Sequence, residues 1–201
     1  MNIKKRVILA SGSPRRKELL EMIGIDFEVI SGNQEENYKS TEPVEIVKEL
    51  ALMKARYVAD KVKMESQEEF LVIGADTIVV LDGKVIEKPK DKIEAFEMLQ
   101  KLQGRSHLVY TGVAILDYSY NQEEKAANFA VETKVNIDSI TPEEIEGYID
   151  TGEPFDKAGG YGIQGEFAVF VKGIEGEYYN VMGLPLASLY QNLKELYEVV
   201  A

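Results

Sequence analysis

Cysteine is absent from the 201 residues, which excludes disulfides and thiolate-metal centres and ties the chain to no oxidising compartment. Histidine occurs once, as His107, so any Ser-His-Asp nucleophile scheme would have to rest on it. Its surroundings, Ser106-His107-Leu108-Val109, read as the start of a strand, and a structural or solvent-facing role is expected rather than that of a base. No Gly-Lys-Ser/Thr sequence occurs, which removes a P-loop mechanism. No apolar run approaches the ~20 residues that span a bilayer. The basic Lys4-Lys5-Arg6 precedes only Val7-Ile8-Leu9-Ala10, short of the about 7–15 apolar residues of a secretory signal. A cytoplasmic protein with no membrane partner is expected. Basic charge is scarce too: 23 Lys and Arg against 35 Asp and Glu give a net charge of −12. That argues against nucleic acid as a partner. It leaves open a small phosphorylated ligand, which a local basic cluster and a divalent cation can hold.

Hydrophobic residues make up 45% and charged residues 29%, the balance of a globular protein. No repeat, low-complexity tract or linker divides the chain, so residues 1–201 are read as a single domain. Val7–Ala10 reads as a buried strand. Ser13-Pro14 then opens a helix carrying Leu19, Leu20 and Ile23 and ending at Gly24. Phe27–Ile30 is a second strand, followed by a polar loop, Ser31 to Ser40. A long helix begins at Thr41-Glu42-Pro43 with Val44, Val47, Leu50, Ala51, Ala55 and Val58 inward. Phe70–Leu81 is a β-prone run interrupted by Gly74-Ala75-Asp76-Thr77. Asp82-Gly83 turns it back into Lys84–Ile86. Asp91 caps a helix with Ile93, Phe96, Leu99 and Leu102 inward. Two long strands, His107–Asp117 and Lys125–Asn136, meet at a turn around Asn121. Thr141-Pro142-Glu143-Glu144 is a capping box. A glycine-rich loop, Thr151–Gly165, leads to a strand at Phe167–Val171, and an amphipathic helix starts near Pro185. The fold class is α/β: a mixed, partly antiparallel sheet with flanking helices.

Five segments carry candidate chemistry. Ser11-Gly12-Ser13-Pro14-Arg15-Arg16 follows a strand and opens a helix, where free N–H groups favour anions. Two arginines there oppose the helix dipole, a broken local rule of the kind found at functional sites; the alternative is a surface helix start whose arginines are solvated. Asp76, between β-prone neighbours, is costly unless it faces a metal, a cation or a cleft, or sits at a strand-to-turn kink allowed by Gly74. Lys54 interrupts an apolar stripe, and Lys88 sits beside Pro89 in a turn that can reach a cleft; either can equally be solvated. Gly160-Tyr161-Gly162-Ile163-Gln164-Gly165 has Gly-x-Gly-x-x-Gly spacing but opens no helix after a strand, which rejects a dinucleotide fold. Its glycines let backbone approach a ligand, and the Gln164 amide can read a base edge.

Read in order, these segments resemble the Maf family of nucleotide pyrophosphatases. The matching pieces are Ala10 to Arg16, Lys54-Ala55, Gly74-Ala75-Asp76-Thr77, Glu87-Lys88-Pro89, Tyr110-Thr111-Gly112-Val113 and Asp156 to Gly165, spread over nearly the whole chain. The resemblance implies two lobes around a cleft, similar to inosine triphosphate pyrophosphatases. It implies hydrolysis of a nucleoside triphosphate to the monophosphate and pyrophosphate with a divalent cation, Mg2+ or else Mn2+. Asp76 matches the proton acceptor, with Lys54 and Lys88 as catalytic cations. Ser11, Arg15, Arg16, Lys54 and Lys88 match phosphate-holding positions. Arg15, Thr77 and Gln164 match positions tied to substrate choice, in the pattern preferring dTTP and UTP. The acidic loop residue is Glu35 or Glu36; Glu35 is assigned as a metal ligand with Asp76. A homodimer is expected by family. The competing reading is a nucleotide-binding regulator of cell division or septum formation with little or no catalysis.

Overall fold

The computed structural model describes residues 3–32, 36–65, 68–119 and 125–197. Thirteen helices and strands order along these residues as β1 (Arg6–Leu9), α1 (Pro14–Met22), β2 (Glu28–Val29), α2 (Pro43–Glu65), β3 (Phe70–Leu81), β4 (Lys84–Ile86) and α3 (Lys92–Leu102). There follow β5 (Ser106–Tyr118), β6 (Lys125–Ile137), α4 (Pro142–Asp150), β7 (Val171–Glu175), α5 (Tyr178–Met182) and α6 (Leu186–Tyr197). The strands form one mixed sheet in the order β2-β1-β3-β5-β6-β7, with β4 on β3. Only β1 pairs in parallel, with β2 and β3; the remaining ladders are antiparallel. No helix among the described residues is long and apolar enough to cross a membrane.

Side-chain alternation along β3 assigns each face. Leu71, Ile73 and Ala75 join Leu19, Leu20, Leu189 and Leu193 of α1 and α6 on one side. Val72 meets Ala51, Ala55, Val58 and Val62 of α2 on the other, where Ile78 and Val80 meet Ile46, Val47 and Leu50. A further core on the first side joins Val79 and Val109 to α3 and α4 through Leu99, Leu102, Ile145 and Ile149. The Asp82-Gly83 turn has positive φ at both residues, 51° and 74°, the pairing that suits a tight hairpin. Asp91 accepts a hydrogen bond from the Glu94 N–H, and Thr141 with Glu144 forms the reciprocal capping box.

Several sequence expectations change. The run from Phe70 to Leu81 is one unbroken strand, so Gly74 is no kink. A Cβ there would lie 2.5 Å from the Ala51 carbonyl oxygen of α2, and glycine is present because the helix backbone lies against the sheet. Val44 and Ile93 are exposed: each sits in the first turn of its helix, and Ile46 and Ala95 take the inward positions. Phe167–Val171 is not a strand. A 3-10 turn spans Glu166–Phe170 and β7 begins at Val171. That turn drives Phe167 inward against Tyr148 and Tyr161, at ring-centroid distances of 5.0 and 4.9 Å. The helix Tyr178–Met182 has no counterpart in the sequence reading; five residues are too few to show a helical period. The turn around Asn121 lies outside the described residues.

Candidate active site

The sheet has a gap. Leu9 of β1 pairs with Ile73 of β3, and the opposite neighbour on that edge resumes only where Ile86 of β4 pairs with Val79. Between those points β3 is paired on its other side alone, with β5. Asp76 and Thr77 lie in this interval, so the unpaired edge opens where the parallel strand β1 ends. Crevices beyond the carboxyl end of such a strand are where ligands enter open α/β sheets. A cavity of about 780 Å3 occupies the place. The strand Phe70–Leu81 carries Asp76 at its middle, facing this cleft, rather than at a strand-to-turn kink.

Asp76 faces α2. It is 7% exposed, and its Oδ1 accepts from the Lys54 ammonium at 2.5 Å. The same ammonium lies 2.6 Å from Glu36 Oε1. Burial pushes the Asp76 carboxyl above the ordinary carboxylate range, opposed by the Lys54 and Arg16 cations and assisted by Glu36. A raised carboxylate pKa is a property of a proton acceptor.

Thr77 faces the other side of the sheet, where the start of α1 lies. Arg16 donates from Nη2 to Thr77 Oγ1 at 3.0 Å, from Nη1 to Ser11 Oγ at 3.0 Å and from Nε to the Gly183 carbonyl at 2.7 Å. Burial lowers the Arg16 pKa and Asp76 acts against that shift. Arg15 points toward the glycine-rich loop, with Nη1 3.1 Å from Asp156 Oδ2. Asp156 also accepts from Lys157 at 2.7 Å. The N-capping hydroxyl of Ser13 makes no bond to the helix start, so the first-turn N–H groups of α1 have no side-chain cap, and Ser13 to Arg16 line the cavity.

Of the sequence candidates, Ser11, Arg15, Arg16, Lys54, Asp76, Thr77, Lys88 and Gln164 all line this one cavity. Lys88 and Gln164 stand exposed at its wall. Glu35 lies outside the described residues, and Glu36 is the loop carboxylate found beside Lys54. Among the described residues no group of three or more His, Cys, Asp and Glu is arranged to hold a metal ion. Asp76 and Glu36 nonetheless converge on a single cation. A two-carboxylate set fits Mg2+, which keeps waters and takes its remaining ligands from substrate phosphates. His107 is buried and hydrogen-bonded to Tyr161, 2.6 Å away, outside the cavity lining. The sequence reading missed Glu36 as a contact of Lys54, and it gave no role to Thr111, Asp156, Asn180 and Gly183. Thr111 and Asp156 lay within quoted motifs; Asn180 and Gly183 gave no signal.

A model of the family described as Maf-like protein matches residues 6–196. A dTTP/UTP pyrophosphatase of Bacillus cytotoxicus is 51% identical over 192 residues, 95% of either chain. One of a Thermoanaerobacter species is 50% identical over 197 residues, 96% of this chain and 98% of the relative. The counterpart in Dictyoglomus thermophilum is 48% identical over 196 residues, 96% and 97% of the two chains. Among solved structures, the Staphylococcus aureus Ham1 protein aligns over 66% of this chain and 72% of its own, at 16% identity and a TM-score of 0.40. With its family model running from β1 to the last turn of α6, and with relatives at half identity along almost their whole length, the chain belongs to the Maf-like family.

Proposed function

We propose that this protein hydrolyses nucleoside triphosphates, preferring dTTP and UTP, to the monophosphate and pyrophosphate. The observation that carries the reading is the pairing, in one cavity, of a buried carboxylate of raised pKa with two arginines and two lysines. The names of the near-full-length relatives give the substrate class. A triphosphate carries dense negative charge, so its cleavage depends mostly on positioning and charge stabilisation. Arg15, Arg16, Lys54 and Lys88 supply that charge from both sides of the cleft, and Ser11 orients Arg16. Asp76 accepts the proton of the attacking water; its raised pKa makes it a better base than an ordinary carboxylate near neutral pH. Asp76 and the acidic loop residue, Glu35 or Glu36, would hold a divalent cation, Mg2+ with Mn2+ able to substitute. Such a cation neutralises phosphate charge and lowers the pKa of water.

Gln164 of the glycine-rich loop lines the same cavity, and its amide can donate to a carbonyl and accept from an N3–H. Uracil and thymine offer both groups, whereas cytosine lacks the N3–H. A mismatched base that covers the amide, exposed in the free protein, without pairing it costs at most about 1–3 kcal/mol for each group so left. The test is pyrophosphate release from a nucleotide panel with and without Mg2+. The reading expects kcat/KM for dTTP and UTP well above CTP and the purine triphosphates, and expects Gln164→Ala to compress that ranking more than it slows UTP turnover. Preference for ATP or GTP, or an unchanged ranking in Gln164→Ala, overturns the base assignment. Absence of pyrophosphate release from every nucleotide overturns the enzyme.

A further inference from the structure

We propose that Thr111 and Asn180 are positioning residues that set the donors of Arg16 toward the substrate, acting through Thr77; this rests on the reading of Arg16 as a phosphate contact. Thr111 and Asn180 are fully buried, each 0% exposed. The Asn180 carbonyl can only accept, and it takes the Thr111 hydroxyl at 2.8 Å as well as the Gly183 N–H at 3.0 Å. A threonine hydroxyl has one proton. With that proton directed to Asn180, Thr111 Oγ1 must be the acceptor in its 2.9 Å contact with Thr77 Oγ1. Thr77 therefore gives its own proton inward to Thr111. Its oxygen then meets Arg16 Nη2 as an acceptor, the only partner a guanidinium can use.

One backbone carbonyl thus fixes the direction of every hydroxyl up to the cleft. Asn180 is itself held, its amide donating to the Val109 carbonyl and to Thr133 Oγ1, each at 3.0 Å. Gly183, which closes α5 with φ of 111°, accepts the Arg16 Nε–H. Nη1 is held by Ser11. A guanidinium has five N–H donors, and the three bonds to Gly183, Ser11 and Thr77 leave one on each terminal nitrogen. Those two are the donors left for phosphate oxygens. Thr77 has no proton left to offer a nucleotide, so its contribution runs through Arg16.

The experiment is a double-mutant cycle on pyrophosphate release from UTP with Mg2+. Thr111→Val keeps the shape and removes the hydroxyl, and Thr111→Ser restores it. Thr111→Val is expected to lower kcat/KM at least about tenfold and Thr111→Ser less than about threefold, whereas in the Arg16→Ala background Thr111→Val changes it less than about twofold. A purely structural hydroxyl would instead multiply its loss onto that of Arg16→Ala. Multiplied losses, an unaffected Thr111→Val, or a Thr111→Ser as impaired as the valine variant each overturn the proposal. If Thr111→Val does not fold, Thr77→Val breaks the same relay one link closer to Arg16, and its loss must likewise vanish beside Arg16→Ala. Wild-type protein that leaves UTP intact overturns the functional reading itself; active wild type with multiplied losses overturns the relay alone.

Discussion

Gly112 stands directly opposite Asp76 in the β3–β5 ladder, and the Val47 carbonyl oxygen of α2 lies 2.1 Å from where a Cβ on Gly112 would sit. Together with Gly74, this brings the backbone of α2 onto the sheet and lets Lys54, farther along the helix, reach Asp76. Gly112→Ala must push the helix away, at a cost of about 1–3 kcal/mol, or roughly 2–4 °C in Tm per kcal/mol for a chain of this size. Activity should fall with stability, because Lys54 moves with the helix. Gly147 in α4 is the control, since nothing lies within 4 Å of its added Cβ, and Gly147→Ala should stabilise by about 0.5–1 kcal/mol. A Gly112→Ala variant with wild-type Tm and kcat/KM contradicts the close approach.

The neighbouring arginines should separate into different phenotypes. Arg15 pairs with Asp156 near the surface, a contact worth at most about 1 kcal/mol to stability. Arg15→Ala should therefore leave Tm nearly unchanged while lowering kcat/KM about tenfold to a hundredfold, the scale of one lost charge-assisted contact. Arg16→Ala should reduce both, since it strips partners from Ser11, Thr77 and the Gly183 carbonyl. Thermal unfolding and steady-state kinetics on the two variants check this; equal Tm losses, or full activity in Arg15→Ala, count against it.

His107 gives a pH signature in stability rather than in catalysis. Burial depresses its pKa from 6.5 to about 4. Below the unfolded value the unfolded chain takes up a proton that the folded state refuses, so stability is present above pH 6.5 and is lost as pH falls toward 4. The loss amounts to about 3 kcal/mol over that window. His107→Gln retains a polar partner for Tyr161 and does not titrate, so denaturant unfolding at pH 7 and pH 4.5 should show it gaining on wild type at the lower pH. A pH-independent difference between the two proteins contradicts this account.

Strong local signals read correctly from sequence: Asp82-Gly83, the capping box at Thr141 and the long strands on either side of residue 121 need only neighbouring residues to declare themselves. Asp76 was legible as a costly carboxylate, yet its environment was not, because the helix carbonyls that demand Gly74 and Gly112 come from residues far away in the chain. The same limit hid Asn180. A five-residue helix has no period, and an asparagine there becomes informative only once β5 and β6 bring Val109 and Thr133 against it. Val44 and Ile93 fitted the apolar spacing and still face solvent, since spacing fixes a helical stripe but not where the sheet beneath it ends.

The most direct test of the central claim is the product balance with UTP and Mg2+ for wild type and Asp76→Asn. The account predicts one UMP and one pyrophosphate per UTP from wild type, with kcat falling as pH drops because Asp76 must be ionised to accept a proton. Asp76→Asn keeps the shape and loses the base, so kcat should fall at least ~10²-fold while UTP binding stays within a few-fold. Formation of UDP and phosphate by wild type, or near-normal kcat in Asp76→Asn, contradicts it.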